Sequence, residues 1–252
     1  MTFGALADVV EFLLPRGCLV CRQWQPSGSE ALVCAACRSR YRSPSWPRCP
    51  RCHHPTGSGR IRGAHCLECA SWPDALGFAR YAYDLRGPAS RTVHALKYDG
   101  WRRLAREMAR AMVAAWADTT PIDLVTHVPT TERRRRLRGY DQAELLGVAV
   151  AERLGVPCAT ILERRGRARS QTALGPVERR HNVSDVFAPV AGAGGAGSKR
   201  VLLVDDVLTT GATATAVATA LRNDAGCAHV SLLTFARALP RLEARSSRSN
   251  VA

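Results

Sequence analysis

The chain has 252 residues, 46% of them hydrophobic and 23% charged, and a formal net charge of +15. That length holds one core of ordinary size plus a smaller module, and no apolar run is long enough to cross a bilayer, so membrane insertion is not expected. The positive surplus is almost wholly arginine, because Lys97 and Lys199 are the only lysines; it favours polyanions such as nucleic acid or phosphorylated small molecules, although a compositional bias towards Arg would produce it too.

The opening MTFGALADVVEFLLPRGC is apolar, but Asp8 and Glu11 interrupt it and no basic residue precedes it, unlike an export signal. Phe3, Leu6, Val10, Leu13 and Leu14 are spaced for an amphipathic helix docked on the body of the protein. Eight of the ten cysteines follow as four C-x-x-C pairs: Cys18 and Cys21, Cys34 and Cys37, Cys49 and Cys52, Cys66 and Cys69. Two such knuckles supply the four soft ligands of a tetrahedral zinc ion, so about two structural ions are expected, with the sharing of pairs left open. A disulfide framework would need an oxidising compartment. His53, His54 and His65 lie beside the thiols as surface or supporting groups, and Cys158 and Cys227 read as buried small residues.

Alternating strand and helix signals begin near Pro73. Candidate strands are 78–83, 123–128, 158–162, 201–205 and 229–236, implying an α/β fold with a largely parallel sheet. Trp101 through Trp116 follows a helical stripe with both tryptophans as core anchors; Asp141 caps a second helix, with Glu144 as its box partner, and Gly155 stops it. The run 191–199 reads as a flexible loop. The expected organisation is residues 1–72 as a helix and double zinc-ribbon module, 73–238 as the α/β domain, and 239–252 as a disordered basic tail. Three basic knots, RRRRLR, RRGRAR and VERR, fall between Glu132 and His181 and suggest loops around a shared site.

The stretch VLLVDDVLTTGAT, 201–213, is the most specific segment. Its apolar run suits a strand covered on both faces, and Asp205 and Asp206 fall at the carboxyl end, where open parallel sheets bind ligands. Thr209, Thr210, Gly211, Ala212 and Thr213 open a small-residue helix whose first-turn amides and hydroxyls can hold one phosphate without a lysine. The carboxylates, a sugar's width away, would accept hydrogen bonds from vicinal hydroxyls, which together describes a site for a 5-phosphorylated ribose. Phosphorelay receivers and nucleoside triphosphatases also place acids after a strand, but no P-loop motif is present, and acids that merely cap a helix are the plainer alternative.

These residues resemble the signature of the type I phosphoribosyltransferase fold, which binds phosphoribosyl pyrophosphate (PRPP), and the chain as a whole resembles the ComF family of competence-associated proteins. HALKYDG at 94–100, VPTTERRRRLRGYDQAELL at 128–146 and RSQTALGPVERRHNVSDVF at 169–187 are similar to that family's further motifs. The resemblance implies a double zinc ribbon ahead of a transferase-like domain. Asp205 and Asp206 would hold the ribose hydroxyls and stabilise cationic charge at the sugar, and residues 209–213 would wrap the 5-phosphate. Thr130, Arg133 and Arg138 would face the pyrophosphate with magnesium. Arg169, Gln171, Arg179, Arg180 and Asn182 would belong to a mobile loop. Tyr140 and Asp141 replace the family's usual Phe and Asn, adding a negative charge near the pyrophosphate.

Two functions follow as expectations. One is a magnesium-dependent transfer of ribose 5-phosphate from PRPP to a nitrogen acceptor read near residues 76–100. The other is a cytoplasmic single-stranded DNA-binding factor working with the competence DNA-uptake machinery and retaining PRPP binding. Trp24, Trp46 and Trp72 could stack bases, although each would more ordinarily pack against its ribbon.

Overall fold

The structure is a computed structural model that describes residues 17–26, 29–56, 61–62, 65–116, 120–165, 186–191 and 196–239. The N-terminal helix, the loop carrying Arg169, Gln171, Arg179, Arg180 and Asn182, part of the 191–199 run and the tail lie outside the described residues.

The central sheet grows from the apolar run at 201–204, every residue of which is fully buried. It contains β3 (Ala79–Asp84), β4 (Leu124–His127), β7 (Arg200–Leu208) and β8 (His229–Arg237). Their order is β3-β8-β7-β4 with every pair parallel, Leu203 standing opposite both Leu232 and Thr126. β7 runs three residues further than expected and carries both aspartates inside it, because its pairing with β8 continues to Leu208 opposite Arg237. The expected strand at 158–162 does not join this sheet as a strand. It touches β4 at one bridge, Cys158 to Val125, then leaves as Ile161 and Leu162 turn into the core; β5 (Leu162–Arg164) pairs antiparallel with β6 (Phe187–Pro189).

Helices cover both faces. On one lie α2 (Gly87–Tyr98), α3 (Leu104–Trp116) and α5 (Gln142–Leu154), packed on Leu202, Val204, Leu233 and Phe235. On the other, α6 (Ala212–Asn223) packs on Val201, Leu203, Val230 and Leu232. This division is the alternation of a strand written in side chains. The α5 boundaries follow local chemistry: Asp141 accepts from the amides of Ala143 and Glu144 at 2.9 and 3.4 Å, and Gly155 ends the helix at φ +68°. Trp116 is a core anchor, but Trp101 is not. Helix α3 starts only at Leu104, leaving Trp101 in the preceding turn, 41% exposed.

The cysteine-rich segment contains α1 (Ala35–Arg38) and a short hairpin, β1 (Ile61–Arg62) with β2 (His65–Cys66). Each cysteine quartet joins a different core. Cys18 and Cys37 pack with α2 and α3, while all four cysteines of the second quartet are buried with Leu76, Val217 and Leu221. Two arginines tie the second quartet in place. Arg51 is buried and donates to the carbonyls of Cys69, Trp72, Pro73, Leu76 and Gly77, and Arg237, 1% exposed at the end of β8, donates to the carbonyl of Cys52. Trp24 and Trp46 do not pack into the ribbons as expected: they are 71% and 74% exposed, with the Arg48 guanidinium 4.0 Å from the Trp46 ring centre.

Candidate functional site

The connection leaving β4 passes to α5 on one face, and the connection leaving β7 passes to α6 on the other. Chains diverging from adjacent parallel strands open a crevice at their carboxyl ends. A cleft of about 600 Å³ lies there, the size of an ordinary small-ligand site. Asp205, Asp206, Thr209 and Thr213 line it from β7 and the loop behind; Thr130 and Arg134 come from the β4 side, Lys97 and Tyr98 from α2, and Arg164 from β5.

Asp206 is buried, its Oδ1 2.9 Å from Lys97 Nζ, and its Oδ2 has no partner among the described residues. Asp205 Oδ1 accepts the Asp206 amide at 2.8 Å. Burial and the neighbouring charge of Asp206 push the Asp205 carboxyl well above the usual carboxylate range. Lys97 is absent from the residues singled out in the sequence, although HALKYDG contains it. Removing its ammonium leaves a buried carboxylate without a cation, so Lys97→Met is expected to cost about 3 kcal/mol in urea unfolding, with Lys97→Arg recovering part of that.

Of the residues expected at the pyrophosphate, Thr130 lines the cleft, and Arg133 and Arg138 do not. The basic stretch forms a helix, α4 (Glu132–Arg138), capped by Thr131 and ended by Gly139 at φ +74°. That winding brings Arg134, exposed like Arg133, to the rim of the cleft, and engages Arg138 with Gln142 Oε1 at 2.6 Å and the Tyr98 ring at 5.0 Å. Two basic knots therefore converge through Arg134 and Arg164. Burial and the like charge of Arg134 pull the Arg164 guanidinium below its ordinary value. Neither makes an ion pair among the described residues. The extra charge on Asp141 is already engaged: the carboxylate is buried and also accepts the Thr130 amide at 3.1 Å.

In the loop, Thr209, Thr210, Ala212 and Thr213 are exposed and Gly211 is buried at φ +88°. A Cβ on Gly211 would stand 2.7 Å from Trp72 Cζ2, so this position excludes every other residue for two reasons, conformation and space. Thr209 and Thr213 line the cleft beside the start of α6, whereas Thr210, Gly211 and Ala212 do not, and the Ala212 amide donates to Thr210 Oγ1 at 3.4 Å.

The thiols of Cys18, Cys21, Cys34 and Cys37 lie within 4.8 Å of one another, as do those of Cys49, Cys52, Cys66 and Cys69. The spacings of 3.4 to 3.8 Å between sulfurs match the ~3.8 Å edge of a zinc tetrathiolate tetrahedron. Burial opposes ionisation of Cys18, but amides of Cys34, Cys21 and Val20 outweigh it and bring the thiol down to about 6. Cys49 falls to about 7 in the same way through the amides of Cys52, Cys66 and Arg51. The quartets close in sequential order, and the four thiols complete each shell without His53, His54 or His65.

Residues 9–70 match the family model of a double zinc ribbon domain. Over 217 residues the chain is 26% identical to competence protein F of Haemophilus influenzae, covering 82% of this chain and 90% of that protein. Over 229 residues it is 28% identical to the DNA utilization protein YhgH of Escherichia coli K12, covering 86% and 96%. Among solved structures, a glutamine phosphoribosylpyrophosphate amidotransferase from B. subtilis overlaps 51% of this chain and 25% of its own at TM-score 0.37 and 26% identity. An adenine phosphoribosyltransferase from Thermoanaerobacter pseudethanolicus overlaps 59% and 85% at TM-score 0.35 and 16% identity. No helix among the described residues is long and apolar enough to cross a membrane. The chain is therefore similar over most of its length to competence protein F and YhgH, with a double zinc ribbon joined to an α/β body on a parallel sheet.

Proposed function

We propose that the cleft binds PRPP with magnesium and that the protein transfers ribose 5-phosphate to a nitrogen acceptor. The observation that carries this reading is the pair Asp205 and Asp206 near the carboxyl end of β7, sharing one cleft with Thr209 and Thr213 at the start of α6 and with Lys97, Arg134 and Arg164. One terminal phosphate fits the 209–213 loop, the vicinal hydroxyls donate to the carboxylates, and the diphosphate meets the guanidiniums. The unpartnered Asp206 Oδ2 is a hard oxygen donor of the kind magnesium or a sugar hydroxyl takes. Magnesium, when bound, would offset charge on the departing diphosphate. In the transfer, the bond from the anomeric carbon to the diphosphate oxygen breaks, a bond to the acceptor nitrogen forms, and the acceptor gives up its proton. The carboxylates stabilise the positive charge that develops on the ribose between those events.

A second reading, DNA handling, is favoured by the exposed rings of Trp24 and Trp46, by the exposed arginines of α4, and by homology to proteins named for competence and DNA utilization. On this reading the protein works in the cytoplasm beside the DNA-uptake machinery, a reducing setting that suits eight thiol ligands. Thermal melting separates the two. PRPP with magnesium is expected to raise the melting temperature at any moderate salt, and a single-stranded oligonucleotide to raise it only at low salt. Stabilisation by the oligonucleotide alone would leave the DNA reading and remove the transferase one.

A further inference from the structure

The second cysteine quartet and the candidate phosphate loop share a wall made by one side chain. Trp72 lies three residues past Cys69 and donates its amide to the Cys69 carbonyl at 3.1 Å. Arg51, sitting between Cys49 and Cys52, fixes the following segment by donating to five of its carbonyls. The indole that emerges is 7% exposed, and its Nε1 donates to the carbonyl of Thr210 at 3.3 Å. Its ring atoms Cζ2, Cε2 and Nε1 stand 2.7, 2.8 and 2.9 Å from where a Cβ of Gly211 would be.

We propose that Trp72 is a positioning residue for the 209–213 loop, and that through it zinc in the second quartet and a phosphate group in the cleft stabilise each other. The reason is geometric. In a trans peptide the carbonyl and the following amide point in opposite directions. Fixing the Thr210 carbonyl on the indole therefore turns the Gly211 amide away from Trp72, and Trp72 does not line the cleft whereas Thr209 and Thr213 do. The glycine at φ +88° has no side chain of its own to hold the turn, and beside the long Ala212 amide to Thr210 Oγ1 bond of 3.4 Å the flat ring supplies a constraint from outside. The quartet holds the ring because Cys69 and Arg51 fix its backbone on both sides. The naming of phosphate as the ligand rests on the PRPP reading; the mechanical coupling does not.

Coupling of this kind is reciprocal, so two separate measurements read it. In Trp72→Phe the ring stays and the donor is lost; this variant is expected to keep two zinc ions and a near-native melting temperature, while hydrogen exchange of the 210–214 amides speeds up about fivefold, the worth of one hydrogen bond. Trp72→Ala should accelerate the same amides about tenfold or more, with the strand amides of β7 unchanged. In the wild type, PRPP with magnesium should slow chelator-driven zinc release from the second quartet several-fold, leaving the first quartet as an unaffected internal reference. Unchanged exchange at 210–214 in both variants would overturn the proposal. If exchange accelerates as expected but PRPP neither binds nor protects zinc, the coupling stands and the ligand assignment falls. If PRPP binds the wild type and both variants alike, with exchange unaltered, the ligand assignment stands and Trp72 is packing only.

Discussion

Loss of zinc from the second quartet is expected to unfold the α/β body, and loss from the first is not. In Cys66→Ser/Cys69→Ser the melting temperature should fall by about 20 °C or more, with loss of the near-ultraviolet signal, because structural zinc supplies about 10–16 kcal/mol and a domain has only about 5–15 kcal/mol in total. The four second-quartet cysteines sit in the same apolar cluster as Leu76, Leu203, Val217 and Leu232, so the metal is part of the core that holds α6 to the sheet. Arg237 adds to the asymmetry. It is buried, donates to the Cys52 carbonyl, stacks over Tyr81 at 5.8 Å, and makes no ion pair among the described residues. A zinc tetrathiolate carries about two net negative charges, which offset that guanidinium; without the metal part of that charge is lost and the buried cation is less well compensated. In the first quartet Cys21 and Cys34 are only half-buried, and no buried arginine among the described residues depends on it. Cys18→Ser/Cys21→Ser should therefore lose one zinc ion and keep a cooperative melt of the sheet. Equal melting temperatures for the two double variants would show that the second quartet lies on the core rather than in it.

What the sequence makes legible here is what depends on near neighbours. The C-x-x-C spacing defines the quartets, the unbroken run 201–204 defines a strand covered on both faces, and Asp141 and Gly155 define the ends of a helix. The cleft is only half legible for the opposite reason. Lys97 reaches Asp206 from a helix far earlier in the chain, and Trp72 meets Thr210 across an even longer separation, so neither contact leaves a local pattern. Arg51 and Arg237 read as part of a basic surplus, yet they are interior struts whose donors end on carbonyls. Arg133 and Arg134 are indistinguishable in a run of arginines until the winding of α4 decides which of them faces the cleft.

Replacing Asp205 by Asn is expected to make the ligand-free protein more stable and its PRPP binding weaker. Burial and the charge of Asp206 raise the Asp205 carboxyl in the folded state, and the counteracting ammonium of Lys97 is already bound to Asp206. A carboxyl raised on folding contributes stability that is fully present below its unfolded value, near 3.9, and lost as pH climbs through the folded value. As pH rises above the unfolded value the wild type loses that contribution while a neutral amide has nothing to lose, so Asp205→Asn should melt higher at neutral pH, by about 2–4 °C for each kcal/mol recovered. The advantage should shrink towards pH 4, where the wild-type carboxyl is protonated as well. Ribose binding runs the other way. Each charge-assisted hydrogen bond from a hydroxyl to a carboxylate is worth about 1.5–3 kcal/mol, so PRPP affinity should drop roughly 10- to 100-fold in titration calorimetry while oligonucleotide affinity stays unchanged. Opposite signs on stability and affinity mark a group kept under electrostatic stress for the sake of its ligand. A variant that loses both together would instead show that the Asp205 charge is itself structural, since asparagine still accepts the Asp206 amide, and the fall in affinity would carry no claim on a sugar.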